Sequence, residues 1–259
     1  MMELNGVPVA DQTAALGVLS YGHFSTMLVD DLRVKGLDRH LERLTRDCEL
    51  IFGKTLDPGR VRRLLSRVAA GCAGPAMLRA TVFDTTLLSD AEPNVLVTTR
   101  PVPAPAPAAL RVRTVDYARD LPTVKHLGFF GPLHQRRLAQ QDGFDDALFV
   151  HRDLVCEGPT WNIAVVIGEE VIWPDDECLP GVTRALLQDV LDRAGRGWSA
   201  RSVRRAELRG VRAAYVTSSG IGVREIAQID GVRLAGDPNL LEVMWRGYAE
   251  LPGDPLGVV

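Results

Sequence analysis

From residue 101 to residue 107 every second residue is proline, Pro101-Val102-Pro103-Ala104-Pro105-Ala106-Pro107, and no other feature limits the fold of the chain so strongly. A backbone lacking regular N–H donors, with φ fixed at about −65° at each proline, joins neither a helix nor a central strand, so an extended spacer is expected here. The chain of 259 residues, 46% hydrophobic, is long enough for two cores. The polar connection Asp116 to Pro122 puts the boundary near residue 118, giving a small domain over 1–117 and a larger one over 118–259.

The first part reads as α+β. Apolar runs at Phe24 to Val29, Met77 to Val82 and Val95 to Thr98 predict strands, and helical spacing predicts helices over Leu37 to Ile51 and Pro58 to Ala70. In the first helix Leu37, Leu41, Leu44 and Cys48 make one stripe, Asp38 is the expected N-cap, and Arg43 falls on a different face. Beyond a strand at Leu110 to Val115, the second part reads as a helix over Phe129 to Gln141 stopped by Gly143. Strands at Asp146 to Val150, Trp161 to Ile167 and Val171 to Trp173, a helix over Thr183 to Arg193 and a strand at Ala213 to Thr217 follow.

A net charge of −3 provides no positive field to hold nucleic acid or an anionic membrane, so a small-molecule partner is expected. Cys48, Cys72, Cys156 and Cys178 form no CxxC pair and no zinc spacing; they read as reduced, buried thiols, and no metal is expected. The first residues show no basic-then-apolar leader and no run long enough for a membrane span, which points to the cytoplasm.

Lysine is nearly absent: Lys35, Lys54 and Lys125 stand against 27 arginines among the 30 basic residues. Only an amine, never a guanidinium, forms an imine with an aldehyde. Lys125, in Pro122-Thr123-Val124-Lys125-His126-Leu127-Gly128, begins an apolar stretch that favours its neutral form; the alternative is a solvated loop lysine. Glu157, between two strands, can present a carboxylate at a sheet edge or serve as a turn residue. Leu179-Pro180-Gly181-Val182-Thr183-Arg184 leads into a helix, where the N–H groups of Val182 and Thr183 would hold an anion, unless Thr183 is simply the N-cap. Thr217-Ser218-Ser219-Gly220 ends a strand in hydroxyls suited to a phosphate, or to a plain polar turn. Arg43, in His40-Leu41-Glu42-Arg43-Leu44, offers a fork that matches phosphate, or a solvated helix residue.

These segments, in this order, resemble the class-IV aminotransferases, the fold-type IV pyridoxal-phosphate (PLP) enzymes that include branched-chain and D-amino-acid aminotransferases and 4-amino-4-deoxychorismate lyase. The family pattern H-x-x-R-L, a PLP lysine, E-x-x-[ST]-x-N and L-x-G-[IV]-T-R is met by His40 to Leu44, Lys125, Glu157 to Asn162 and Leu179 to Arg184. The resemblance implies a small N-terminal α/β sandwich, a larger C-terminal pseudo-barrel domain carrying the lysine, PLP held between them, and a homodimer. It makes Lys125 the Schiff-base lysine and Glu157 the partner of the pyridine nitrogen. Arg43, Val182, Thr183 and Ser219 would surround the phosphate, Asn162 would belong to the cofactor site, and Ser218 and Gly220 would face the phosphate or the substrate carboxylate.

Three departures concern the substrate. Tyr21-Gly22-His23-Phe24-Ser25-Thr26 is shorter than the family's segment and puts Phe24 where D-specific members carry tyrosine, with His23 either its replacement or simply a buried residue. Thr85-Thr86-Leu87-Leu88-Ser89-Asp90 offers no cation to a substrate carboxylate, and Lys125-His126-Leu127 is similar to the lyase. Transfer of an amino group between a small amino donor and a keto acid is the leading expectation. Elimination of pyruvate is the alternative, and a PLP-binding protein without catalysis a further one.

Overall fold

The computed structural model describes residues 2–8, 21–84, 92–104 and 108–257. The segment Thr85 to Asp90 and the end of the proline run, Pro105 to Pro107, lie outside the described residues, and with them the expectations placed there. The chain divides by contacts into two units: Met1–Ala104 with Val124–Gly128 and Pro252–Val259, and Pro105–Thr123 with Phe129–Leu251. The first unit thus includes the five residues around Lys125, although the sequence places that lysine beyond the boundary.

The first unit is one antiparallel sheet with two helices on a single face. Its strands β1 (Met2–Leu4), β2 (Val7–Pro8), β3 (Gly22–Asp30), β4 (Arg33–Val34), β5 (Ala76–Phe83) and β6 (Asn94–Pro101) order as β4-β3-β5-β6-β1-β2, with Asp254–Pro255 paired to β4. The register Ser25↔Ala80 and Phe24↔Thr81 fixes which residues share a face. His23, Ser25, Met27 and Val29 face the helices; Phe24, Arg79, Thr81 and Leu96 face away.

Helix α1 (Leu37–Phe52) and helix α2 (Pro58–Ala70) bury their apolar stripes against Met27, Leu78, Ala80, Val82 and Val97. Each fully buried leucine of that stripe is worth about 1.5–3 kcal/mol. The stripe of α1 is wider than apolar spacing suggests. It takes in His40, Arg43 and Asp47 as well as Leu37, Leu41, Leu44 and Cys48, so Arg43 is buried rather than turned to another face. Asp38 is not the N-cap either. Gly36, in the left-handed region, starts the helix, and the Leu37 N–H is taken by Asp254 Oδ2 at 3.0 Å.

The second unit is a mixed sheet with strands β7 (Leu110–Asp116), β8 (Asp146–His151), β9 (Leu154–Val155), β10 (Asn162–Ile167), β11 (Glu170–Trp173), β12 (Trp198–Ala200), β13 (Val211–Ser218), β14 (Gly222–Ile229) and β15 (Val232–Arg233). Its order is β12-β11-β10-β13-β14-β7-β8-β9, with β15 on β14. Helix α3 (Phe130–Gln141) packs on β8, and helices α4 (Val182–Arg193) and α5 (Pro238–Glu250) border the cluster around Trp173, Tyr215 and Met244. Because β10 begins where β13 ends, Asn162↔Thr217, residues 162 and 217–219 come to one end of the sheet.

The described cysteines are free, and Cys48, Cys156 and Cys178 are buried as expected, but Cys72 is only partly covered. No helix among the described residues is long and apolar enough to cross a membrane. No group of three or more His, Cys, Asp or Glu among them could hold a metal.

Candidate active site

In the first unit the Gly22 end of β3 has an open edge, and the segment Lys125 to Leu127 pairs along it. Phe24 N–H donates to Lys125 O, and Leu127 N–H to Gly22 O, each at 2.9 Å. On the other side the Lys125 N–H donates to Asp47 Oδ2 of α1 at 3.0 Å. The Lys125 Nζ lies 4.9 Å from the centroid of the Phe24 ring, and the Arg79 guanidinium carbon lies 3.7 Å from that centroid. Burial, and then the charge of Arg100, lowers the Arg79 pKa to about 10, which leaves it a cation at neutral pH.

Arg43 is 6% exposed and donates through Nη2 to Ser25 Oγ at 2.6 Å; that hydroxyl lies 2.7 Å from His40 Nδ1. Burial, and then the nearby charges of Arg43 and Lys125, holds His40 well below its ordinary range, so the ring is neutral. Ser25 therefore accepts from Arg43 and donates to Nδ1, which assigns the proton of His40 to Nε2. Arg43 Nε is buried with no partner among the described residues, and burial lowers its pKa to about 10. A buried guanidinium with an unused donor suits an anion that the chain itself does not supply.

His23 does not join Phe24. It sits on the opposite face of β3, 0% exposed, with its ring 5.9 Å from that of Phe52 and neither ring nitrogen bonded among the described residues. Burial, opposed by Asp47 and aided by Arg43 and Arg46, lowers its pKa to about 4.

In the second unit Glu157 is 4% exposed and both of its carboxylate oxygens accept hydrogen bonds. Oε1 accepts from Arg119 Nε at 2.8 Å; Oε2 accepts from the Leu179 N–H at 3.1 Å and Asn162 Nδ2 at 3.4 Å. Asn162 Nδ2 also donates to Leu179 O at 2.8 Å, tying the Glu157 loop to the approach to α4. A Cβ on Gly181 would stand 1.9 Å from Asn162 Oδ1, so only glycine lets the two segments meet this closely. Beneath the loop, Arg136 grips both oxygens of Asp146 at 3.0 and 2.8 Å, and Asp146 also accepts from Trp161 Nε1 at 2.7 Å.

Thr183 is not the N-cap of α4. Gly181 is, with no capping side chain, which leaves the first-turn N–H groups of Val182 and Thr183 without helical acceptors. The Thr183 hydroxyl lies 3.4 Å from Ser219 Oγ and bonds the side chain of Tyr248. Ser218, Ser219 and Gly220 form the turn from β13 to β14, in which the Ile221 N–H donates to Ser218 O at 3.1 Å. An uncapped helix start beside two hydroxyls is an anion cradle by construction. Arg184 takes no part: it is 9% exposed and donates to Pro174 O at 2.7 Å.

Among residues that patterns in the sequence did not mark, Asp47, Arg79, Arg119 and Tyr248 touch this machinery. Taken unit by unit, the first offers a lysine with a fixed backbone and a buried arginine, and the second a buried carboxylate and an uncapped helix start, each a kind of group that PLP requires.

Residues 22–229 match the family described as Amino-transferase class IV. The bifunctional aminodeoxychorismate lyase / D-amino acid transaminase of Mycobacterium tuberculosis is 26% identical over 90% of each chain. A solved structure of a hypothetical aminotransferase from Mycobacterium tuberculosis, in its PLP-bound form, is 26% identical, with a TM-score of 0.79 over 93% of this chain and 90% of that one. The branched-chain aminotransferase of Thermoproteus uzoniensis with norvaline shares the fold at 20% identity, with a TM-score of 0.84 over 99% of each chain. The α+β, fold-type IV architecture expected from the sequence is the one the chain adopts.

Proposed function

The chain belongs to the class IV aminotransferase family, whose cofactor is PLP, and we propose that it moves an amino group between a carboxylate-bearing amino donor and a keto acid, with Lys125 as the residue that holds the cofactor covalently. When bound, PLP supplies an electron sink for the bonds of the donor's α-carbon. Lys125 Nζ would serve as the positioned base that takes the proton from that carbon. Glu157, paired with Arg119 at 2.8 Å, would meet the pyridine nitrogen. Arg43, Val182, Thr183 and Ser219 hold the phosphate, with Ser218 and Gly220 beside them and Asn162 fixing Glu157. The reading keeps a homodimer acting on small molecules in the cytoplasm.

The observation that carries it is the pairing of Lys125 Nζ and the Arg79 guanidinium over one aromatic ring, Phe24, at 4.9 and 3.7 Å from its centroid. A cation on the lysine's side of the sheet answers a substrate carboxylate, the group missing from the segment Thr85 to Asp90. Elimination of pyruvate remains the second reading, favoured by the two activities in the name of the Mycobacterium tuberculosis relative.

The test is a spectral titration of the PLP-loaded protein with L-amino acids, D-amino acids and amines, with Lys125→Ala beside it. Conversion to pyridoxamine phosphate with one keto acid per cofactor is the expected result. Pyruvate released repeatedly from aminodeoxychorismate without that conversion establishes elimination instead. Covalent PLP retained by Lys125→Ala overturns the assignment of the lysine.

A further inference from the structure

Asp47 occupies a position of α1 where a carboxylate is costly. It shares the buried stripe with His40, Leu44 and Cys48 and is 0% exposed. An ionised group there persists only if it is paired and hydrogen-bonded, and an apolar residue of similar size would pack the helix at no such cost. Its Oδ1 accepts from Arg46 Nε and Nη2 at 3.0 and 2.6 Å. The Arg46 side chain is 42% exposed, however, and water can satisfy it without Asp47.

The other partner of Asp47 is the Lys125 N–H. It is held by Asp47 Oδ2 at 3.0 Å across 78 positions of sequence, while the Lys125 carbonyl is held by Phe24 at 2.9 Å. Both backbone groups of residue 125 are thus fixed, one by the edge of β3 and one by a charge-assisted bond from α1. The direction in which the side chain leaves the backbone follows from that clamp, and only its own rotamers remain to be chosen.

We propose that Asp47 is a positioning residue for Lys125, holding its backbone so that Nζ meets the aldehyde of PLP. The proposal rests on the reading of Lys125 as the cofactor lysine. The step it serves forms a C=N bond between Nζ and the aldehyde carbon and releases one water, with no change of oxidation state.

The experiment compares wild type, Asp47→Ala, Asp47→Asn and Lys125→Ala, each as cofactor-free protein. It measures the rate of covalent PLP capture, the affinity for pyridoxamine phosphate, which has no aldehyde to capture, and amide exchange over residues 124–127. In Asp47→Ala, capture slows by about tenfold or more, the scale of one lost charge-assisted hydrogen bond. Exchange over 124–127 speeds up while α1 keeps its protection, and pyridoxamine phosphate affinity stays within about twofold of wild type, as expected for a site otherwise intact. Asp47→Asn, which keeps an acceptor oxygen, falls between the two; it is read alone if the alanine variant loses protection throughout α1. Equal weakening of PLP and pyridoxamine phosphate, or an unchanged capture rate, overturns the proposal. Covalent capture by Lys125→Ala refutes instead the reading on which it stands.

Discussion

Replacing Gly181 with alanine puts a methyl group where Asn162 already stands. The new Cβ would lie 1.9 Å from Oδ1 and 3.1 Å from Cγ of Asn162. The backbone is not the obstacle, since φ −72° and ψ 134° are open to alanine. Asn162 must therefore swing away, giving up its 2.8 Å bond to Leu179 O and its longer contact with Glu157. Overpacking costs ~1–3 kcal/mol and the lost bond ~1 kcal/mol, so Gly181→Ala should destabilise by about 3 kcal/mol. At ~2–4 °C per kcal/mol for a chain of this size, the cofactor-free protein melts about 9 °C lower. Asn162→Ala alone should cost about 2 kcal/mol, chiefly the orphaned Leu179 carbonyl. With the amide gone, Gly181→Ala adds only the preference of an N-cap for glycine over alanine, about 0.5–1 kcal/mol. The double-mutant cycle should thus show about 2 kcal/mol of coupling. Thermal melts of the four cofactor-free proteins measure it. If Gly181→Ala costs as much without Asn162 as with it, the glycine is not there to admit that amide, and the account of how the Glu157 loop meets α4 fails.

Arg119→Met leaves the Glu157 carboxylate, 4% exposed, without its cation; the protein should lose about 3–5 kcal/mol and bind PLP more weakly, checked by melts and by equilibrium dialysis. The pH dependence of stability should report His23, whose pKa falls from 6.5 to about 4 on folding. Between those values the unfolded chain binds the extra proton, so stability is full above 6.5 and drains as the pH falls toward 4. The loss from this residue approaches about 3 kcal/mol, and His23→Leu should remove that share of the acid limb in a series of melts, whereas an unchanged limb would show that His23 is not buried as a neutral ring.

The order of the motifs makes Lys125, Glu157 and the start of α4 legible in the sequence, because each carries its signal within a few residues: a rare lysine, a carboxylate between strands, a glycine ahead of a helix. The same local signals mark α1 and α2 nearly to the residue. They put the cap of α1 on Asp38, since nothing near Leu37 reveals that Asp254, 217 positions away, takes that N–H. They pass over Arg79 within β5, because a single charged residue in a strand carries no local signal of the face it takes. The register Thr26↔Arg79 puts it on the face of Phe24.

Arg43 and Asp47 are hidden for a different reason. His40, Arg43 and Asp47 recur at helical spacing beside an apolar stripe, and counting only apolar residues makes them look like a solvated flank. The alternative is testable on energy grounds: three ionisable residues on the buried side of one helix require partners supplied by other elements. Here those partners are Ser25 of β3 for Arg43 and His40, and the backbone of residue 125 for Asp47. The polar residues set along an apolar stripe are therefore the clue to which face of α1 meets the lysine.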